Sequence, residues 1–524
     1  MRALSLFSYL VSNAENMKRL RILTARTLLF GISCCATLLA QSSTIAEKLI
    51  GEALKPSSIE QNLRHLTDEI GGRVPGTPAM DKAVAWGVAA FRRAGADSVH
   101  TEEFQIPVSW AEGQTEVNIS SIGTAIDPAT SQLPAVVFKP RVVSIAWAPA
   151  INARHVPVVD VGYGKPEDFR KAGDISGKLL LVHSDVLKTW PDLFNEYMNA
   201  PPVIDQAVER KAKAIAFIAT REHDVLYRHT NAVAGEIDRI PMILVAREDG
   251  ERIGRLVTSG HPVWADLSVA NKIGGPVKAA NVVAEIKGSE KPDEFVIIGA
   301  HLDSWELGTG ALDNGCNAAL VIDALRTIRA SGLKPRRTIR FILFSGEEEG
   351  MLGSRAYATA HRKELDKLAG VTVIDSGIGK VTGFSVGGRK DVVAAVEPMI
   401  APLAQYGAGP LTTDDVEWGT DNFDFMLEGV PTFVANQEEG NYLVNYHATS
   451  DTFDKVDIQQ LKRHVAEMTV LTFGIADAPE PVGARLTHSQ IDKILRETHA
   501  DEQLKALGIW DDWQRGKRGR ARQP

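Results

Sequence analysis

Glu294-Phe-Val-Ile-Ile-Gly-Ala-His-Leu-Asp-Ser-Trp305 (EFVIIGAHLDSW) decides how this chain folds. The run Phe295–Gly299 is apolar without alternation, which is the pattern of a parallel strand buried on both faces. An imidazole and a carboxylate, His301 and Asp303, follow it immediately. In open α/β sheets, ligands bind beyond the carboxyl ends of the strands. One stretch therefore suggests both the architecture and the place of the chemistry.

The pattern continues on both sides of this run. Strands are expected at Val282–Ile286, Glu294–Gly299, Thr338–Phe344, Gly370–Asp375 and Pro431–Ala435. Helices are expected at Gly315–Ala330, Ser354–Leu368, Lys390–Tyr406 and Ile458–Ala476. Upstream, Ile59–Glu69 and Met80–Ala94 read as helices around the turn-rich GGRVPGTP loop, and Val99–Pro107 as a strand. Strands alternating with helices give an α/β fold, a mostly parallel mixed sheet flanked by helices. Residues 140–275 differ in texture. Val158–Val161, Lys178–Ser184, Ala214–Ala219 and Met242–Ala246 are short β-rich runs, with a helix at Val203–Lys213 and no metal-ligand spacing. The expected organisation is a catalytic domain of 41–139 and 276–480, a β-rich insert of 140–275, and a C-terminal extension of 481–524. The basic run Arg515–Arg522 in that extension reads as a solvated tail.

Four further motifs share the chemistry of His301 and Asp303. Asp313 lies in GALDNG, Glu347 and Glu348 in SGEEEG, Asp375 in VIDSG and His447 in YHATSDT. Each alone reads equally well as a turn, a helix cap or a solvated loop. Together, in one α/β region and mostly at strand ends, they supply two imidazoles and enough carboxylates for two divalent cations. That borderline-hard donor set suits zinc, with cobalt or manganese as substitutes. His301 and Asp303 read as a ligand and its orienting acid. Adjacent Glu347 and Glu348 diverge, so one can ligate while the other faces the attacking water. Two cations lower a shared water's pKa toward ~7, and a carboxylate beside it serves as general base. Cys316 reads as a small helix residue rather than a ligand.

Length and composition set further bounds. At 524 residues the chain exceeds one core. Net charge is −8 and no basic patch beyond the tail is evident, so nucleic acid is not an expected partner. Lys18, Arg19, Arg21 and Arg26 precede the apolar stretch Thr27–Ala40, the layout of a secretory leader over 17–40, with Met17 as an alternative start. Cleavage after Ala40 takes Cys34 and Cys35 away and leaves Cys316 alone, so the mature chain has no internal disulfide.

These motifs resemble the co-catalytic zinc exopeptidases of the aminopeptidase Y type, metallopeptidase family twenty-eight. Within it, HLDSW and the G-x-G-A-x-D loop are most similar to the carboxypeptidase Q branch, although Asp375 stands in VIDSG where that branch usually has ESD-x-G. GKLLLVHSD, KAIAFIA and IPMILVAREDGERI resemble a protease-associated (PA) domain, which implies a lid or substrate-access module. The resemblance implies two Zn2+ per chain: His301, Asp313 and Asp375 on one, Asp313, Glu348 and His447 on the other. Glu347 is then the general base, and Asp303 orients His301. The implied activity is a secreted or periplasmic aminopeptidase or dipeptidase acting on short peptides or dipeptides. No stable membrane insertion is expected after leader cleavage, and a homodimer is left open. The alternatives are other amide chemistry on the same fold, such as glutaminyl cyclisation, or a non-catalytic receptor-like ectodomain.

Overall fold

The apolar run becomes the strand Lys291–His301, buried continuously from Phe295 to His301. Successive side chains of a strand point to opposite faces, and here both faces are covered. Val296, Ile298 and Ala300 enter a large core with the helices Pro78–Ala94, Cys316–Ser331 and Ile458–Asp477. Phe295 and Ile297 enter a second core with Tyr357, Leu365 and Phe425. The computed structural model describes residues 44–123, 126–127, 129–231 and 234–522. The expected leader over 17–40 lies outside the described residues.

Lys291–His301 sits inside an eight-stranded sheet. It runs parallel to Arg337–Phe344 on one side and Leu368–Val373 on the other, and Thr432–Gln437 continues the parallel centre. The margins are antiparallel. Val277–Ile286 pairs with Arg337–Phe344 and carries Ser98–Ile106. At the other margin Val381–Ser385 pairs with Thr432–Gln437, and Leu411–Thr412 lies beyond it. The mixed α/β sheet flanked by helices is thus as expected, with two short strands, Val381–Ser385 and Leu411–Thr412, that were not. Helix ends also move. The helix expected over Ser354–Leu368 is Leu352–Ala360, and Leu368 already opens the next strand. Lys390–Tyr406 breaks into Val393–Ile400 flanked by 3-10 turns. Pro402, just past the end of that helix, lacks the N–H that would continue it.

A second eight-stranded sheet is built mostly from residues of the expected insert. Its centre, Ile151–Asp160, Leu179–Val182, Ala214–Ile218 and Met242–Val245, is parallel. Thr115–Ile122 and Ala135–Phe138 also pair into this sheet, ahead of residue 140 where the insert is expected to begin. Thr115–Ile122 is rich in polar residues, and Ala135–Phe138 is a four-residue apolar strand at the sheet's edge, too short to stand out in a hydrophobicity reading. Trp110–Ala111 pairs with Lys272–Ile273 where the chain leaves and re-enters the first lobe.

The C-terminal extension is folded, contrary to the expectation of a solvated tail. The helices His488–Glu497, Ala500–Ala506 and Trp510–Gln514 bury Ile491, Leu495, Leu504 and Trp513 against Met351, Phe423 and Leu427. Arg518 is 4 % exposed and donates two hydrogen bonds to Asp424, at 2.8 and 2.7 Å. A fork-shaped pair of that kind orders a guanidinium that composition alone assigns to water. Among the described residues, no helix is long and apolar enough to cross a membrane.

Candidate metal centre

The parallel strands deliver the candidate ligands to one edge of the sheet. His301 ends its strand; Glu347 and Glu348 follow Arg337–Phe344; Asp375 follows Leu368–Val373. Asp313 arrives on the turn that opens the helix Cys316–Ser331. That turn begins at Gly310, with φ +60°, where a Cβ would stand 2.2 Å from the Ser304 side chain. Only glycine fits there. His447 follows the short helix Tyr442–Asn445.

The structure brings all five expected ligands together. His301 Nε2 lies 2.9 Å from Asp375 Oδ1 and 3.2 Å from Asp313 Oδ1. His447 Nε2 lies 2.9 Å from Glu348 Oε2 and 3.3 Å from Asp313 Oδ2. Asp313 therefore turns one oxygen toward each imidazole. Glu347 stands beside the first group: one atom each of His301, Glu347 and Asp375 lie within 4.8 Å of one another, as do atoms of His301, Asp313 and Glu348.

Whether these residues suit a metal can be tested on their unmet valences. His301 Nε2, Asp313 Oδ2, Glu348 Oε1 and Asp375 Oδ1 are buried without a hydrogen-bond partner, although they converge. Orphaned polar atoms of this kind are costly, and cations between them would satisfy each one. The charges agree: three ligand carboxylates and Glu347 match two divalent cations. The surplus of carboxylates draws positive charge onto the two imidazoles. Burial works against a charged His447, but Glu348 and Asp313 lift it to about 9. Burial likewise opposes a charged His301, and Asp375 and Asp313 raise it well above its ordinary value. Burial and the neighbouring Asp313 push Glu348 up to about 7, against the opposing pull of His447. Burial also raises Glu347, with Asp375 and Asp421 adding to it against His301. Asp313 resists its burial because both imidazoles hold it well below the usual carboxylate range.

Asp303 departs from its expected role. Its carboxylate is 3.8 Å from His301 Nδ1, too far for a hydrogen bond. The acceptor for Nδ1 is instead the Asp303 main-chain carbonyl at 3.0 Å. The carboxylate accepts from the Glu348 N–H at 3.2 Å and so steadies the Glu347–Glu348 loop. Cys316 is buried in its helix, with Sγ 3.5 Å from Leu312 O.

Three supporting residues were missed by sequence reasoning. Asp451 accepts the main-chain N–H groups of Ala311, Leu312 and Asp313 at 3.0, 2.6 and 3.1 Å. Its place in YHATSDT, four residues after His447, is the one signal that pointed to it. Arg73 of the GGRVPG loop is wholly buried and donates to the carbonyls of Leu302, Gly71, Thr309 and Gly310. Arg228 of the insert accepts the His447 Nδ1–H on its carbonyl at 3.0 Å. Nothing local in sequence marks either arginine.

A cavity of about 410 Å3 lies over the centre. Its floor includes Asp313, Glu347, Glu348, Asp375 and His447. Its walls come from three regions: Trp190, Leu193, Phe194 and Tyr197 of the insert helix Trp190–Glu209, Trp418 of the first lobe, and Leu507 and Ile509 of the C-terminal extension. Phe194 and Trp418 face each other across 5.6 Å.

Comparison with known proteins converges on the same chemistry. Residues 281–472 match the model of peptidase family M28. The chain is 27% identical to carboxypeptidase Q of Rattus norvegicus over 429 residues, 80% of this chain and 85% of the relative. It is 26% identical to carboxypeptidase Q of Homo sapiens over 428 residues, with the same shares covered. The crystal structure of a peptidase M28 precursor from Shewanella amazonensis SB2B has a TM-score of 0.74 and 25% identity, covering 86% of this chain and 99% of that one. BSAP, a zinc aminopeptidase from Bacillus subtilis, shares the fold with a TM-score of 0.61 at 20% identity, covering 81% of this chain and 98% of its own. The chain is a metallopeptidase-type hydrolase similar to carboxypeptidase Q, with a peptidase family M28 match over residues 281–472.

Proposed function

We propose that this chain is a two-zinc exopeptidase of short peptides. The observation that carries the reading is Asp313, whose two oxygens face His301 and His447 at 3.2 and 3.3 Å. His301, Asp313 and Asp375 would hold one cation; Asp313, Glu348 and His447 the other. When bound, the two cations would acidify a water between them and polarise the scissile carbonyl. Glu347 stands where it can take that water's proton and pass it to the leaving amine, and its burial beside Asp375 favours proton uptake. Asp303 holds the main chain of Glu348 and thereby the reach of both carboxylates. A doubled ligand set weighs against a one-metal cyclase.

The cavity supports a finer reading of the substrate. Its far wall is apolar and aromatic, from Phe194, Trp418, Leu507 and Ile509, while its floor is charged. A short peptide with a bulky apolar side chain next to the scissile bond fits that division. The insert helix Trp190–Glu209 walls the cavity and would exclude longer chains, as a protease-associated lid does. Export with loss of residues 17–40 belongs to the same proposal.

Zinc analysis of the reconstituted protein, with turnover of a dipeptide and aminoacyl-amide panel, tests it. Two equivalents and zinc-dependent hydrolysis are expected. Saturation at one equivalent, or no hydrolysis of any short peptide, would sink the reading.

A further inference from the structure

His447 has φ +59°, in the left-handed region that non-glycine residues avoid. Such a conformation persists only when its surroundings over-determine it. Those surroundings belong to the insert. The Arg228 N–H donates to His447 O at 2.9 Å, the Thr449 N–H donates to Leu226 O at 3.0 Å, and Tyr227 bridges to Ala448. The His447 Nδ1–H donates to Arg228 O at 3.0 Å, which leaves Nε2 free to face Asp313 and Glu348. This short pairing therefore sets both the backbone and the tautomer of His447.

The Arg228 side chain anchors that pairing. It is fully buried, with Nη2 2.6 Å from Glu306 and 2.5 Å from Glu112, Nε 3.1 Å from Glu306, and Nη1 donating to the Ser144 carbonyl. Glu306 lies on the loop that follows His301, and Glu112 and Ser144 lie at the base of the insert. One guanidinium thus ties the insert to the loop that follows the first imidazole, while its own main chain holds the second.

We infer that Arg228 is a positioning residue for His447, so that the insert completes the site formed by His447, Asp313 and Glu348. The inference rests on the reading of His447 as a metal ligand given under the proposed function. Without the side chain's three anchors the Leu226–Arg228 segment loses its fixed place, and His447 loses the partner that holds its ring and backbone. Among the described residues Arg228 makes no hydrogen bond or ion pair with His301 or Asp375, so that side of the centre should keep its geometry.

The experiment is zinc titration of the chelator-stripped full chain against a chromophoric competitor, with the absorption of a Co2+-loaded sample as a second readout. Wild type, Arg228→Met, Arg228→Lys, Glu306→Gln and His447→Asn are compared. Arg228→Met should keep one site at wild-type affinity and weaken the other 10–100-fold, the usual effect of losing an outer partner of a ligand. Arg228→Lys should recover part of the loss, and the Co2+ bands should change for one ion only. Wild-type affinity at both sites, or equal weakening of both in step with a lower Tm, would overturn the inference. If Arg228→Met does not fold, Glu306→Gln decides: selective weakening of one site supports the inference, and unchanged binding overturns it. The His447→Asn arm separates the two ideas, since two tight sites there would sink the ligand reading itself.

Discussion

The Asp451 carboxylate receives the main-chain N–H of Asp313 at 3.1 Å. Its other oxygen takes the N–H groups of Ala311 and Leu312, so one buried side chain fixes the turn that presents Asp313. Asparagine at 451 keeps the second acceptor but turns an NH2 toward the Asp313 N–H. Asp451→Asn should therefore lower zinc affinity about 10–100-fold without changing any ligand. Competition titration reads this directly, and wild-type affinity would show that the turn holds itself.

The C-terminal extension should influence specificity. Leu507 is partly exposed and lines the apolar end of the cavity. Leu507→Trp should fill that end and lower kcat/KM for dipeptides with bulky apolar side chains about tenfold relative to alanine-containing ones, the scale at which apolar pockets discriminate. An unchanged ratio would place the substrate elsewhere in the cavity.

The legibility of these features in the sequence follows their physics. Phe295–Gly299 is readable because a strand buried on both faces cannot alternate, and His301, Glu347, Glu348 and Asp375 are readable because they stand just past such strands. Arg228 and Arg73 are not readable. Each makes its contacts across long sequence separations, Arg228 to Glu112 and Glu306, Arg73 to the 302–310 loop, and neither has a local signature. The same holds for Arg518, whose basic neighbours suggest a solvated tail while Asp424 is 94 residues away. Asp303 shows a subtler limit: the spacing to His301 suggests a side-chain bond, but the bond goes to the main chain.

Acid should destabilise the fold through His464. This residue is fully buried in the helix Ile458–Asp477, and its Nε2–H donates to Gly379 O at 2.8 Å. Burial holds its pKa down to about 4, with the Gly379 bond acting weakly the other way. Between pH 4 and the ordinary histidine value the unfolded chain binds more protons than the folded one, so stability falls as pH falls. From pH 7 to pH 5 the loss is about 2 kcal/mol. His464→Gln should flatten that part of the urea-midpoint profile relative to wild type. Parallel profiles for the two proteins would contradict it.

The most direct test of the account sets Glu347 against its neighbour. Glu347→Gln keeps size and removes the proposed base; Glu348→Gln removes a proposed ligand. Zinc content and dipeptide turnover measured on the same samples separate them. Glu347→Gln should retain two zinc ions while kcat falls roughly 10²–10⁴-fold, and Glu348→Gln should lose one ion. Full activity in Glu347→Gln, or loss of zinc there with both ions kept in Glu348→Gln, would contradict the assignment of base and ligand on which the mechanism stands.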